Sequence, residues 1–296
     1  MKILFISKKE IDYLANTILH GLVCLYGDDV VDFPYIDFLC ESSDVLKDKR
    51  LFSLRGTLPD RSHIDRSNIE QKIREHYFDL VVYGSSTRND TYLPIVLRYY
   101  KVKEVIMMDG EDNSGIVASN IWVPFFKREL QVDGIKSAQA YRMFPISFSI
   151  PESLFRNPFK HKERLLSFMN PEDPNTYIYG TQEAYFDQYQ QSMFAITTRK
   201  NGWDCMRHYE IIAAGCLPVF ENFNYCPKTT MVSWPADLQI EANCMYNRLR
   251  GRDLKDIDEK EWTDYWDLLG RFQAYAREHL TTKAMARYMI QCLDTL

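Results

Sequence analysis

Short apolar runs alternate along this chain with longer stretches of helical spacing, and that alternation leaves few folds open. Ile3–Ile6 is apolar throughout, 11–26 carries Ile11, Leu14, Ile18, Leu22 and Leu25 at helical spacing, and Val30–Phe33 is a second short run. A charged helical stretch at 68–77, a strand-like run at 79–83, a helical stretch at 91–100 and a run at 104–108 continue the series. It resumes with strand-like runs at 165–169, 193–198 and 217–220, separated by helical stretches at 181–191 and 205–214, the latter closed by Gly215. Residues 259–293 read as helix, with Trp262, Trp266, Leu269, Phe272 and Tyr275 on one broad face. Short runs that are apolar throughout suit parallel strands buried on both faces. Their alternation with helices predicts open, mostly parallel sheets. The expected architecture is therefore α/β: two Rossmann-like domains, 1–140 and 141–296, facing a cleft, with a helical C-terminal tail. A chain of 296 residues suits that division. The stretch 144–155, with Pro145 and Pro151 near its ends, is expected as an extended connection between the domains. Ligands of such sheets bind at the carboxyl ends of the strands, which gives the cleft room for two substrates, one per domain.

Charge and cysteine content narrow the partners. The formal net charge of −5 does not suit a protein that coats a phosphate backbone. Seven cysteines at irregular spacing, with no Cys-x-x-Cys pair, argue against a disulfide framework or a zinc site. They point to reduced thiols in a cytoplasmic setting. The apolar run behind Met1 is too short for a signal peptide, and no stretch reaches the length of a membrane span.

Phe194 to Val219 carries most of the functional information. A strand ends near Thr198, the polar loop Arg199-Lys200-Asn201-Gly202-Trp203-Asp204 follows, and a helix begins near Cys205. A helix N-terminus behind a strand presents unpaired N–H groups and a partial positive charge, which suits a diphosphate. Asp204 is the expected N-cap. Arg207 falls in the first turn, where a cation opposes the helix dipole, and so points to an anionic ligand. Glu210 follows one turn later on the same face, and its carboxylate can accept hydrogen bonds from two ribose hydroxyls. Read from the residues alone, Arg207 and Glu210 equally fit an exposed ion pair worth about 0.2–0.5 kcal/mol. His208 fits packing as well as function, and Trp203 fits a core position as well as a stack on a nucleobase.

The run Arg207-His-Tyr-Glu-Ile-Ile-Ala-Ala-Gly-Cys-Leu-Pro-Val219 resembles the donor-site motif of exostosin-like glycosyltransferases of the GT-B fold, in which a helix leads into Gly-Cys-Ile/Leu-Pro-Val. It is also similar to the exostosin-like glycosyltransferases carried by large algal viruses, a xylosyltransferase among them. The resemblance spans residues 165–220 and does not extend to the first half of the chain. It implies a UDP-sugar donor, a carbohydrate or glycan acceptor, and no metal or other cofactor. On this basis Arg207 would hold the diphosphate and Glu210 the ribose. Thr198, Arg199, Lys200, Trp203, Asp204 and His208 complete the expected donor side.

Sugar transfer with inversion needs a base for the acceptor hydroxyl and positive charge on the departing diphosphate. Carboxylates behind the strands of the first domain are the candidate bases: Asp109, Glu111 and Asp112 after the run 104–108, and Asp90 after 79–83. Crowded carboxylates raise one another's pKa, which favours the Asp109–Asp112 cluster, although the same residues suit a cap-rich turn. His20, in a largely apolar helix, is a weaker candidate. Two patterns fit a metal-dependent transferase of the GT-A fold instead: Asp256-Ile-Asp258, discounted because it lies in an acidic run with no strand before it, and Asp109-Gly-Glu111, which follows a strand. A non-catalytic sugar-nucleotide-binding protein and a sugar-nucleotide epimerase or hydrolase are the remaining alternatives.

Overall fold

The computed structural model describes residues 1–40, 53–116, 123–132, 142–158 and 161–296. The boundary expected at 140/141 lies outside them. The first sheet is six-stranded and wholly parallel: β1 (Ile3–Ile6), β2 (Val30–Phe33), β3 (Leu80–Tyr83), β4 (Val105–Asp109), β5 (Phe125–Lys127) and β6 (Met143–Pro145), in the order β2-β1-β3-β4-β5-β6. Alternation within a strand sends side chains to opposite faces. Accordingly Ile3 and Phe5 enter one buried cluster while Leu4 and Ile6 enter another. Both faces are covered, and the runs are apolar for that reason.

Helix α1 (Tyr13–Tyr26) leaves β1 through Asp12, whose carboxylate caps it by accepting the Ala15 N–H at 3.0 Å, and it stops at Gly27, where φ is +56°. Helices α2 (Ile69–Arg74) and α3 (Leu93–Tyr99) pack together on the same half of the molecule.

The second sheet is three-stranded and parallel: β7 (Arg164–Leu166), β8 (Ser192–Ile196) and β9 (Leu217–Val219), with β8 central. Helix α4 (Gln182–Gln190) crosses from β7 to β8, and α5 (Met206–Ala213) from β8 to β9. Helix α6 (Ala236–Leu249) packs on β9, and α7 (Glu259–His279) packs on α5 and α6. A final helix, α8 (Thr282–Leu293), turns back and packs along α1. Gly21 makes that approach possible: a Cβ there would lie 2.0 Å from the Thr282 carbonyl oxygen.

Two expectations change. The helical stretch at 259–293 is two helices, because Ile150 pairs with the backbone at the break: its N–H donates to Leu280 O and its carbonyl accepts from Thr282 N, each at 3.0 Å. The stretch expected as a connection from residue 144 begins inside β6, the sixth strand of the first sheet. The larger buried cluster contains residues of both halves, Phe5 and Leu14 together with Trp203 and Tyr209. Among the described residues, no helix is long and apolar enough to cross a membrane.

Candidate functional site

A cavity of about 590 Å³ opens between the carboxyl ends of the two sheets. From the first half it is lined by Tyr13 behind β1, Asp112 behind β4 and Phe148 behind β6. From the second half it is lined by Met169, Tyr177 and Tyr179 behind β7, and by Tyr185, the loop from Lys200 to Arg207 except Trp203, and Glu210. Parallel α/β sheets bind ligands at this end, and the volume is that of a small-molecule site.

The loop behind β8 is held rigid from beneath. His208 is fully buried: Nε2 donates to the Trp203 carbonyl at 2.9 Å, so Nδ1 is left to accept from the Thr197 hydroxyl at 2.7 Å. Burial pushes its pKa down to about 3, keeping it neutral. Gly202 passes directly over two buried charges, and a Cβ there would meet Glu129 Oε1 at 2.6 Å. Asp204 is buried as well. It accepts the Phe148 N–H at 2.6 Å and the Tyr209 hydroxyl at 2.8 Å. Its own N–H donates to Glu129 Oε1 at 3.1 Å, and its carbonyl accepts from Arg128 at 2.6 Å. Burial pushes its carboxyl up to about 6, against the opposing charge of Arg128.

Asp204 is therefore not the N-cap of α5. Its carboxylate is committed to Phe148 and Tyr209, and Cys205 occupies the cap position without a side-chain capping bond. The N–H groups of Met206 and Arg207, which have no intrahelical partner at a helix start, find none elsewhere among the described residues, and both residues line the cavity.

Arg207 is only 8% exposed. Its Nη2 donates to the Tyr177 hydroxyl at 2.6 Å, while Nε and Nη1 are buried with no partner among the described residues. Orphaned donors on a buried cation are costly, and in a cavity wall they mark a place for an acceptor. Glu210, one turn on, is half-buried. It accepts from the Tyr185 hydroxyl at 2.7 Å and from the Ser53 hydroxyl, which comes from the first half of the chain. The exposed Arg207–Glu210 ion pair does not form.

The other expected site residues separate into two groups. Lys200, Asp204, Arg207 and Glu210 line the cavity; Thr198, Arg199, Trp203 and His208 do not. Trp203 is buried against Phe220, with the exposed Arg199 over its ring at 5.1 Å. Among the candidate bases only Asp112 reaches the cavity, half exposed and paired with Arg128. Asp109 is buried in an ion pair with Lys127 at 3.0 Å, Glu111 pairs with Arg88 at 2.6 Å, and Asp90 is exposed behind β3. His20 bonds the Thr282 hydroxyl at 2.8 Å between α1 and α8, and burial lowers its pKa to about 4. Asp258 caps α7, and Asp256 is exposed. Among the described residues no three His, Cys, Asp or Glu side chains come together as a metal site.

Sequence reasoning overlooked Lys127, Arg128 and Glu129, which are all fully buried. Arg128 bonds Gly110 O at 3.0 Å, Glu129, Asp112 and Asp204 O, and so ties β5 to the loop behind β8. The available signal was three successive charges following Phe125-Phe126 at a strand's carboxyl end. The tyrosines at 177, 179 and 185 were also overlooked; their spacing in a polar stretch resembles an ordinary loop and helix start.

The class of site is defined by this geometry: a cleft between two parallel sheets with a buried cation at a helix start, two of its donors unpartnered among the described residues, and a carboxylate one turn beyond. In comparison with known proteins, no family model matches the chain, and no match is found among curated proteins.

Proposed function

We propose that this protein is a glycosyltransferase of the GT-B arrangement that moves a sugar from a UDP-sugar to a carbohydrate acceptor. One observation carries the reading: the buried Arg207 guanidinium, with two unpartnered N–H groups in the cavity wall, beside free amides at the start of α5 and one turn from Glu210. Phosphate oxygens fit those donors in charge and geometry. Lys200, also in the wall, adds a second cation. In the reaction these groups stabilise the charge that develops on the departing diphosphate. Glu210 receives the ribose hydroxyls.

Asp112, across the cavity on the first half, is the base that takes the acceptor proton as the hydroxyl attacks the anomeric carbon, which makes the transfer inverting. The resemblance of 207–219 to the exostosin-like motif supports a UDP-sugar, and UDP-xylose is the first donor to test. A metal-dependent GT-A reading through Asp109 and Glu111 is weakened by their ion pairs with Lys127 and Arg88; full activity in excess chelator would exclude it. Asp112→Asn is the deciding experiment. Turnover should fall about 100-fold or more, with UDP affinity within twofold of wild type. Wild-type turnover would remove Asp112 from the mechanism, and UDP binding with no transfer to any acceptor would leave a sugar-nucleotide-binding protein.

A further inference from the structure

Among the described residues the Arg207 guanidinium has a partner at only one nitrogen, and that partner is a neutral hydroxyl from a neighbouring loop. Tyr177 Oη accepts from Arg207 Nη2 at 2.6 Å and donates to the Pro171 carbonyl at 3.4 Å. The ring sits near two cations, with Lys200 Nζ 5.3 Å and the Arg207 guanidinium 5.6 Å from its centre, yet it remains 44% exposed. Its neighbour Ile178 is 64% exposed as well. The remaining donors of Arg207, Nε and Nη1, stay buried and unpartnered.

We propose that Tyr177 is a displaceable stand-in for a phosphate oxygen. Its hydroxyl holds one nitrogen of Arg207, and a diphosphate must move it aside to engage the full guanidinium. This rests on the reading of the cavity as a nucleoside-diphosphate site. A bond to a charged acceptor is roughly twice as strong as one to a neutral acceptor, and a diphosphate also reaches the two donors that Tyr177 leaves open. Exchange therefore favours the ligand, but at a cost: apparent affinity is reduced by the fraction of molecules in which Tyr177 still holds Arg207. Tyr177 thus sets the affinity of the site without belonging to the catalytic groups.

Tyr177→Phe keeps the ring and removes the hydroxyl. Binding of inorganic pyrophosphate and of UDP is measured by titration calorimetry at fixed ionic strength, on wild type, Tyr177→Phe, Arg207→Met and the double variant. Both ligands should bind Tyr177→Phe about tenfold or more tighter than wild type, the scale of one hydrogen bond to a charged group. The gain should vanish in the double variant. Equal or weaker binding by Tyr177→Phe overturns the proposal, as does a gain that survives the loss of Arg207, or the absence of binding by either ligand. A gain with UDP binding no tighter than pyrophosphate supports the stand-in and sinks the nucleotide reading. Tight UDP binding without a gain does the reverse.

Discussion

Replacing Arg207 with methionine should lower nucleotide affinity while leaving the fold as stable as before or more so. Nε and Nη1 have no partner among the described residues although the residue is only 8% exposed. Two bonds to phosphate from a charged donor contribute about 3 kcal/mol or more at roughly 1.5 kcal/mol each, which is ~100-fold or more in Kd for UDP. The stability side has the opposite sign. Each buried donor left unpaired costs the native state about 1–3 kcal/mol, and methionine fills similar volume with no such penalty. The one partner lost, Tyr177, is substantially exposed and can turn to water. Calorimetric titration with UDP and a thermal melt of the ligand-free protein test the two halves separately. A structural arginine would behave otherwise: the melt would fall by several degrees and UDP affinity would hardly change. Either result refutes the assignment of Arg207 as a ligand group whose buried donors are held open for phosphate.

Two further predictions concern the fold. His20 and His208 are neutral when folded, with pKa values lowered by burial to about 4 and about 3 from 6.5, whereas burial raises Asp204 to about 6 from 3.8. Below pH 6.5 the histidines gain protons only on unfolding, so the stability they contribute is present above that pH and is lost towards acid. Between pH 6 and pH 4 Asp204 offsets one of them by protonating in the folded state. The net is one more proton bound by the unfolded chain, so stability should fall by about 1 kcal/mol per pH unit over this range. Urea midpoints at pH 7, 6, 5 and 4 measure it, and a flat profile contradicts the burial of these groups. Gly21→Ala drives a Cβ into the Thr282 carbonyl and should cost about 1–3 kcal/mol, seen as a melting temperature lower by several degrees with UDP affinity retained. An unchanged melt would mean that α1 and α8 do not pack this closely.

Much of the sheet architecture was legible because a strand buried on both faces is apolar throughout. Ile3–Ile6 and Val30–Phe33 appear as read, and the other runs shift by one to three residues at their ends. β5 and β6 were not legible. β5 is three residues long, ends in Lys127 and is followed by Arg128-Glu129, charges that read as solvent-facing until the second half of the chain is folded over them. β6 ends in Pro145, which sequence reasoning takes for a connection, yet at a strand's last position proline is tolerated. At the site, the spacing of Arg207 and Glu210 placed both in the cavity wall because three residues make almost one helical turn. Local spacing says nothing about which side chains a distant strand brings. Asp109 meets Lys127 and Asp112 meets Arg128 only through the pairing of β4 with β5. His208 and Trp203 sit beside the motif in sequence but point into the core.

The packing of α8 on α1 also sets a timetable for synthesis. Ten residues of α1, from Leu14 to Val23, are buried in the finished protein, and one of the groups that covers them, Thr282, stands 262 residues after His20. At about 5–20 residues per second, that separation leaves the outer face of α1 waiting roughly 13–50 s on a nascent chain. During that interval the first sheet can pair while the face of α1 that carries His20 and Gly21 has no permanent cover.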